Sequence, residues 1–394
     1  MDKKIKELKE VEVEYLDYFS KLGFCTEKSE NLLPENKSAA VLFMICGGIK
    51  YDNVFRGNEE SNMQQLARIQ NCLRTDNDYR VGYSPRHLTN FKMLEVFSFN
   101  NTNFSKITDY MIDYLITTGV PPNEIFLNVP DNKKEISENA KRYSSLGIEI
   151  RRLDPTKLSW RIKDGPLEGQ RMEIGHIPTE WELWNIAYID PQNRKLVDSG
   201  MALERLVAVI NGYNSVFEIE KLKKITEKII SNFPYLQKED AQYVGDHILT
   251  LNEASNQGIF PSAKGPGNKI RYLTKKVLAR IRASESQTDG LLDLLNPIFE
   301  EEIKRIEETY KKCEKEFKDY LQNYCREYFN LENYLNQLKK GTKSGYFDSP
   351  KLLNEEYIKI AIEQNKKIIL PSVSKKELGQ KYDLPLGLIE RLKK

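Results

Sequence analysis

Arg74 and the Arg86-His87 pair bracket a polar stretch, and Phe91 follows closely. An arginine on a strand can grip a phosphate through two parallel N–H bonds, while an aromatic on the partner strand stacks a base. The competing reading is a plain surface arginine. A second group is Asp198-Ser-Gly-Met-Ala-Leu-Glu-Arg205. Gly200 would permit close backbone approach where a strand feeds a helix, and a helix N-terminus favours an anion. Arg205, read as one and a half turns into that helix, could reach back over its mouth. Asp198 is placed to receive a cation such as an ammonium. An ordinary cap with a solvated arginine would look the same. A third group is Trp181-Glu-Leu-Trp-Asn185. Strand alternation predicts Glu182 and Trp184 on one face, with Trp181, Leu183 and Asn185 on the other. Core packing is the alternative.

Charge adds a fourth feature. The net charge is only +2, yet Lys264, Lys269, Arg271, Lys275, Lys276, Arg280 and Arg282 follow one another with no acidic residue between them. Such a field suits a polyanion, although a solvated helix face is equally compatible.

Elements that could hold these groups are legible in the periodicity. Ile5, Leu8, Val11, Tyr15, Phe19 and Leu22 recur at threes and fours up to Gly23, which predicts a helix. The apolar run from Ala39 to Met44 reads as a buried strand. Residues 67–74 and 89–99 read as antiparallel strands around the polar turn 75–80. A helix is predicted over 109–117, strands over 182–190 and 196–199, and a helix over 201–209. The mixed order predicts an α+β fold rather than a doubly wound sheet. Beyond Tyr213 the periods are almost all helical, including one long helix from Ile303 to about Gly341 and a last one from Ser374.

Composition narrows the class. The chain has 394 residues, 40% hydrophobic and 30% charged, which suits two soluble domains. No apolar run approaches the roughly 20 residues of a membrane span, and the charged N-terminus is no targeting peptide. Five scattered cysteines and three histidines give neither a disulfide frame nor a structural zinc site, so a reduced, cytoplasmic protein is expected.

Taken together, these stretches resemble the class II aminoacyl-tRNA synthetases, specifically the alanyl-tRNA synthetase family. EYLDYFSKLGF (14–24) and VLFMICGGIKYDNVFRG (41–57) are similar to its opening segments. ARIQNCLR with VGYSPRHLTNFKMLEVFSF (67–99) resembles class II motif 2. ELWNIAYI (182–189) and VDSGMALERLVAVINGYNSVFEIE (197–220) resemble a later strand and motif 3. HILTLNEASNQGIFPS (247–262) and the basic stretch resemble the start of its helical acceptor-stem domain.

The resemblance implies an antiparallel sheet flanked by helices in an adenylate-forming domain, 1–215, followed by an all-helical tRNA-binding domain, 216–394. It implies that Arg74 binds the α-phosphate of ATP and that Phe91 stacks on adenine, opposite Arg205. Arg86, His87 and Gly200 would complete the nucleotide site. Asp198 would pair with the amino-acid ammonium, with Asn185, Trp160 and Ala202 framing the pocket. Glu182 is a partner for Mg²⁺ or the nucleotide. Lys264, Lys269, Arg271, Lys275 and Lys276 would meet the tRNA acceptor stem.

The sequence also departs from the family. The loop after Arg74 is shorter. The pocket segment 164–176 keeps only scattered matches such as Gly169 and Glu173. Ala202 replaces a motif 3 glycine. Ala263 stands where the family carries a base-reading asparagine, and that asparagine's partner falls near Gln380. No editing or C-terminal dimerisation domain is recognised, so a monomer is expected. Activation of alanine or a similar small amino acid and its transfer to tRNA is the leading expectation. Transfer to a carrier protein or small molecule, and a non-catalytic tRNA-binding module, are the alternatives.

Overall fold

The computed structural model describes residues 5–27, 29–35, 41–100, 103–131, 140–161, 168–189, 194–283, 291, 294 and 295. The helices expected from Ile303 and from Ser374, and Gln380, lie outside the described residues. The chain divides into two compact units, Met1–Asp78 with Ser84–Lys224, and Tyr79–Tyr83 with Ile225–Lys394.

The first unit is built on one sheet. Its strands are β1 (Cys25–Glu27), β2 (Gln65–Leu73), β3 (Asn90–Ser98), β4 (Ile125–Pro130), β5 (Glu149–Leu153), β6 (Ser159–Arg161), β7 (Glu168–His176), β8 (Trp181–Ile189) and β9 (Leu196–Ala202). The order across the sheet is β1-β2-β3-β9-β8-β7-β4-β5, with β6 pairing to β7. The β1–β2 and β4–β5 pairs are parallel and the others antiparallel. Its helices are α1 (Leu8–Lys21), the short α2 (Asp52–Phe55), α3 (Phe104–Thr118) and α4 (Leu203–Ile210). The expected α+β class and the β2–β3 hairpin are therefore present.

Alternation divides the sheet into two faces. Leu94, Val96, Trp184, Ile186, Ser199 and Met201 form one of them, all buried. Tyr15 and Phe19 of α1 and Tyr114 of α3 close on Trp184, with ring centres 6.3–6.4 Å away. The Trp184 Nε1–H donates to Ser199 Oγ (3.2 Å), and that hydroxyl donates to the Val96 carbonyl (2.8 Å). Ser199→Ala strands a buried indole N–H and should cost about 1–3 kcal/mol. A urea melt would register a lower midpoint at unchanged slope.

Two expectations fail here. Ala39 and Ala40 fall outside the described residues, and 41–46 is irregular chain rather than a strand. Met44 bridges two segments instead: its N–H donates to Leu32 O (2.7 Å), and its carbonyl accepts from Leu73 N–H (2.9 Å). An apolar run reports burial, and Phe43 and Met44 are indeed buried, but burial alone does not make a ladder. Nor does a helix begin at Met201. The β9 ladder continues through Ala202, which pairs with Met93, and α4 starts at Leu203.

In the second unit the described helices are α5 (Glu220–Asn232), within which the boundary falls, α6 (Lys238–Asn256) and α7 (Gly265–Ala283). The basic stretch is α7 and the residues before it, and its seven cations do not share one fate. Arg280 is buried, with Nε 3.4 Å from Asp240 Oδ1 and its guanidinium carbon 3.3 Å from the Tyr243 ring centre. Tyr83 O–H donates to the same Asp240 oxygen (2.7 Å). Lys264 and Lys275 are exposed, and Lys269, Arg271 and Lys276 are half-buried. Lys269 and Lys276 lie 5.9 and 4.7 Å from the ring centre of exposed Tyr272. No described helix is long and apolar enough to cross a membrane.

Candidate active site

The second face of the sheet carries the polar residues. One lateral row runs Glu27–Arg68–Glu95–Gly200–Asn185–Glu173–Asn128, each residue opposite the next across adjacent strands. Asp198 lies two residues along β9 from Gly200, hence on the same face. Phe91 and Met93 lie on that face of β3, on the other side of Glu95 from Phe97.

Glu182 shares this face with Asn185, against the alternation expected for β8. The β7–β8 register shifts between Ile174 and Gly175, so that Glu182 pairs with Gly175 and Trp184 with Ile174. Leu183 is the extra residue of a β-bulge, and a bulge exchanges the faces beyond it. Asn185 Nδ2–H consequently donates to Glu182 Oε1.

Arg74 follows the last residue of β2 and is exposed. Its Nε–H donates to Ile45 O (2.9 Å), and its guanidinium lies 5.1 Å from the centre of the Phe91 ring. Arg205 is the third residue of α4, in the first turn rather than one and a half turns inside. Its Nε–H donates to Arg86 O and its Nη1–H to Glu182 O, both at 3.2 Å. Burial lowers its pKa to about 10; Glu182 opposes the shift, whereas Arg86 and Arg74 add to it. Two other guanidinium groups, Arg74 and Arg86, and two carboxylates, Glu182 and Glu204, therefore lie within electrostatic reach of Arg205. His87 Nδ1 is hydrogen-bonded to Ser84 Oγ (2.6 Å) at the edge of the group. The β6 backbone pairs Trp160 with Gly169.

Gly200 is not at a helix mouth but within β9, and its missing side chain has a different use. A Cβ there would lie 2.5 Å from Met93 Sδ, so Met93 occupies the space over the strand. The pair Gly47-Gly48 serves the same end from the opposite side. A Cβ on Gly47 would collide with the Glu95 carboxylate, and one on Gly48 would lie 3.1 Å from Asp198 Oδ2. The absence of a side chain at both positions lets this turn pass close to both acids.

Asp198 is half-buried, and loss of hydration alone holds its carboxyl up at about 6. Fully buried Glu95 was not singled out by the sequence reading, nor were Arg68, Met93 and the two glycines. The signal was present: Glu95 is the one charged residue among Phe91, Met93 and Phe97 at period two.

Similarity to known proteins places the chain in a family. The family model described as "tRNA synthetases class II (A)" matches residues 10–181 and 185–365. The alanine–tRNA ligase of Thermotoga maritima is 25% identical over 307 residues, 68% of this chain and 35% of that protein. The alanine–tRNA ligase of Haemophilus influenzae is 25% identical over 392 residues, 86% of this chain and 45% of that one. The chain thus spans between about a third and a half of the length of these curated relatives. Among solved structures, the pyrrolysyl-tRNA synthetase of Desulfitobacterium hafniense overlaps 54% of this chain and 73% of its own, at 14% identity and a TM-score of 0.33. With its family model matched along most of the sequence, this chain belongs to the class II aminoacyl-tRNA synthetases, in the alanyl-tRNA synthetase family.

Proposed function

We propose that this chain condenses ATP with alanine or a similar small amino acid to an aminoacyl-adenylate and passes the acyl group to tRNA. One observation carries the reading: Arg74 and Arg86 both act electrostatically on Arg205, whose Nη1–H rests on the Glu182 carbonyl, and the sheet face that carries the Glu182 side chain also holds Asp198, a carboxylate whose only strong perturbation is loss of water. Cations gathered at one pole suit a polyphosphate and a carboxylate, and the acid at the other suits an ammonium.

The reaction needs both poles. A substrate carboxylate oxygen attacks the α-phosphorus in line, a new P–O bond forms, and the bond to the bridging oxygen breaks to release pyrophosphate. Attacker and target are both anions, so neutralising and aligning them accounts for most of the barrier lowering. Arg74 serves the α-phosphate. Arg205, two of its N–H groups fixed on carbonyls, holds its remaining nitrogen toward the nucleotide, with Phe91 as the stacking surface for adenine. Arg86 and His87 flank the phosphates, and Gly200 and Ala202 keep the floor low. Mg²⁺ bound with ATP would offset the negative charge of its phosphates. Glu182, with an oxygen besides the one Asn185 engages, is the carboxylate suited to it. Trp160 and Asn185 border the amino acid. A resident zinc has no part in this scheme.

Transfer follows when an acceptor hydroxyl attacks the adenylate carbonyl and AMP leaves. For tRNA, Lys264, Lys269, Arg271, Lys275 and Lys276 supply the phosphate contacts on and beside α7. Changing Lys269, Lys275 and Lys276 together to alanine should weaken tRNA binding and reduce the slope of log K against log salt by about 2–3. Filter binding across a salt series measures it. We place the reaction in the cytoplasm.

Pyrophosphate exchange into ATP against a panel of amino acids, with and without total tRNA, tests the reading. Exchange with a small amino acid and charging of tRNA support it. Exchange without charging favours a carrier protein or small molecule as the acyl acceptor. Binding of tRNA with no exchange reduces the chain to a tRNA-binding module.

A further inference from the structure

We infer that Glu95 is a specificity-determining residue that selects a small amino acid bearing a side-chain hydroxyl over alanine. This rests on the adenylation reading and assigns the substrate class within it.

The argument starts from what lies between the two poles. Arg74 would hold the substrate carboxylate side and Asp198 its ammonium. A group that senses both borders the α-carbon, whose remaining substituent is the side chain. Among the described residues two groups do so. Cys46 is perturbed, after burial, by Asp198, Glu95 and Arg74. Glu95 is perturbed, after burial, by Arg68, by the Gly47 N–H, by Asp198 and by Arg74. Glu95 opposes Gly200 in the ladder, next to the strand that carries Asp198.

Glu95 is also incompletely satisfied. Its Oε1 accepts from Gly47 N–H, but Oε2, fully buried, has no hydrogen-bond partner among the described residues. The nearest cation, Arg68 Nε, stands 3.5 Å away without forming a hydrogen bond. Asn185 Oδ1, in the same lateral row, is a second buried acceptor without a hydrogen-bond partner among the described residues. Buried polar oxygens are nearly always paired in folded proteins, and an unpaired one is costly. A methyl group offers Oε2 nothing. A hydroxyl pairs with it.

The protonation of Glu95 narrows the choice further. Burial chiefly holds its carboxyl at about 8, so near neutral pH it presents both the protonated and the ionised form. The ionised form requires a donor, and the neutral form can itself donate. A hydroxyl does both, an ammonium or a methyl does not. Met93 packs over Gly200, and the Gly47 backbone lies against the Glu95 carboxylate.

A site with a buried partner for a substrate hydroxyl discriminates strongly against the analogue lacking it. Pyrophosphate exchange by the unaltered chain with serine, alanine, glycine and threonine is the direct test. Serine should exceed alanine in kcat/KM by about tenfold or more. Glu95→Gln keeps the acceptor for Gly47 N–H and should bring the ratio toward unity. Glu95→Ala should reverse it in favour of alanine. Should either variant fail to fold, judged by circular dichroism, the wild-type ratio decides alone. Alanine equal to or better than serine in the wild type overturns the assignment of Glu95 and leaves the adenylation reading standing. No exchange with any amino acid overturns both.

Discussion

Arg205→Ala is expected to lower kcat/KM for ATP–pyrophosphate exchange by about 10²–10³, or roughly 3–4 kcal/mol of transition-state stabilisation. The side chain is held before any ligand arrives: Nε on Arg86 O, Nη1 on Glu182 O. That preorganisation makes the loss large, because no reorganisation is needed as charge develops. Burial lowers its pKa only to about 10, so the group stays cationic at neutral pH. Arg205→Lys keeps a charge but cannot span both carbonyls, and it should recover only part of the loss. If the fall is confined to kcat, with the KM for ATP little changed, the contact belongs to the transition state. A rise in KM alone would make Arg205 a ground-state binding group.

Asp198→Asn should cost about 10² or more in kcat/KM for the amino acid, since the ammonium then meets a neutral amide. The pH dependence carries the sign. Asp198 titrates near 6 because it is stripped of water, and only its ionised form attracts the ammonium. Amino-acid kcat/KM should therefore climb from pH 5 and level off above about 6.5 in the wild type, and Asp198→Asn should remove that step. Stability moves the opposite way. Between the ordinary aspartate pKa of 3.8 and about 6, the folded chain holds a proton that the unfolded chain has released. Raising pH through that window therefore favours unfolding, and Asp198→Asn should flatten this part of the profile. Chemical denaturation at pH 4, 5 and 7 separates the two effects.

How far the sequence reveals this site depends on what each residue reports. Arg74, Phe91, Asp198 and Arg205 are legible because each sits at a fixed offset in a stretch of recognisable pattern, and the structure brings them to one face. Placement within an element is less legible. Gly200, expected at a helix mouth, and Arg205, expected deeper in the helix, are displaced because the β9 ladder runs on through Ala202, and β propensity gives little warning of where pairing stops. Glu182 moves to the face of Asn185 because of one unpaired residue, Leu183. A period-two argument has no term for a bulge. Arg280 looks identical to its basic neighbours along the chain, and only Asp240 and Tyr243, on a different helix, show it to be a core cation.

The residues missed altogether are those whose meaning is relational. Gly47 and Gly48 follow an apolar run that resembles a strand, yet their role is to let the backbone pass between two carboxylates that lie about 50 and 150 residues farther on. Met93 looks like core packing and is in part packing, but the atom it packs over is the Cα of Gly200. Arg68 and Glu95 are opposite partners in the β2–β3 ladder, a pairing that follows from the hairpin register once the turn length is fixed.

The central claim is that one face binds a nucleotide and an amino acid joined as a mixed anhydride. Isothermal titration with non-reactive sulfamoyl analogues of seryl- and alanyl-adenylate tests it most directly, because both poles are then occupied by one molecule. The account predicts that the tighter of the two binds at least about 10³-fold more strongly than ATP or the free amino acid. It also predicts that Arg205→Ala and Asp198→Asn each remove most of that gain. Binding no tighter than AMP, or binding untouched by both substitutions, would contradict it.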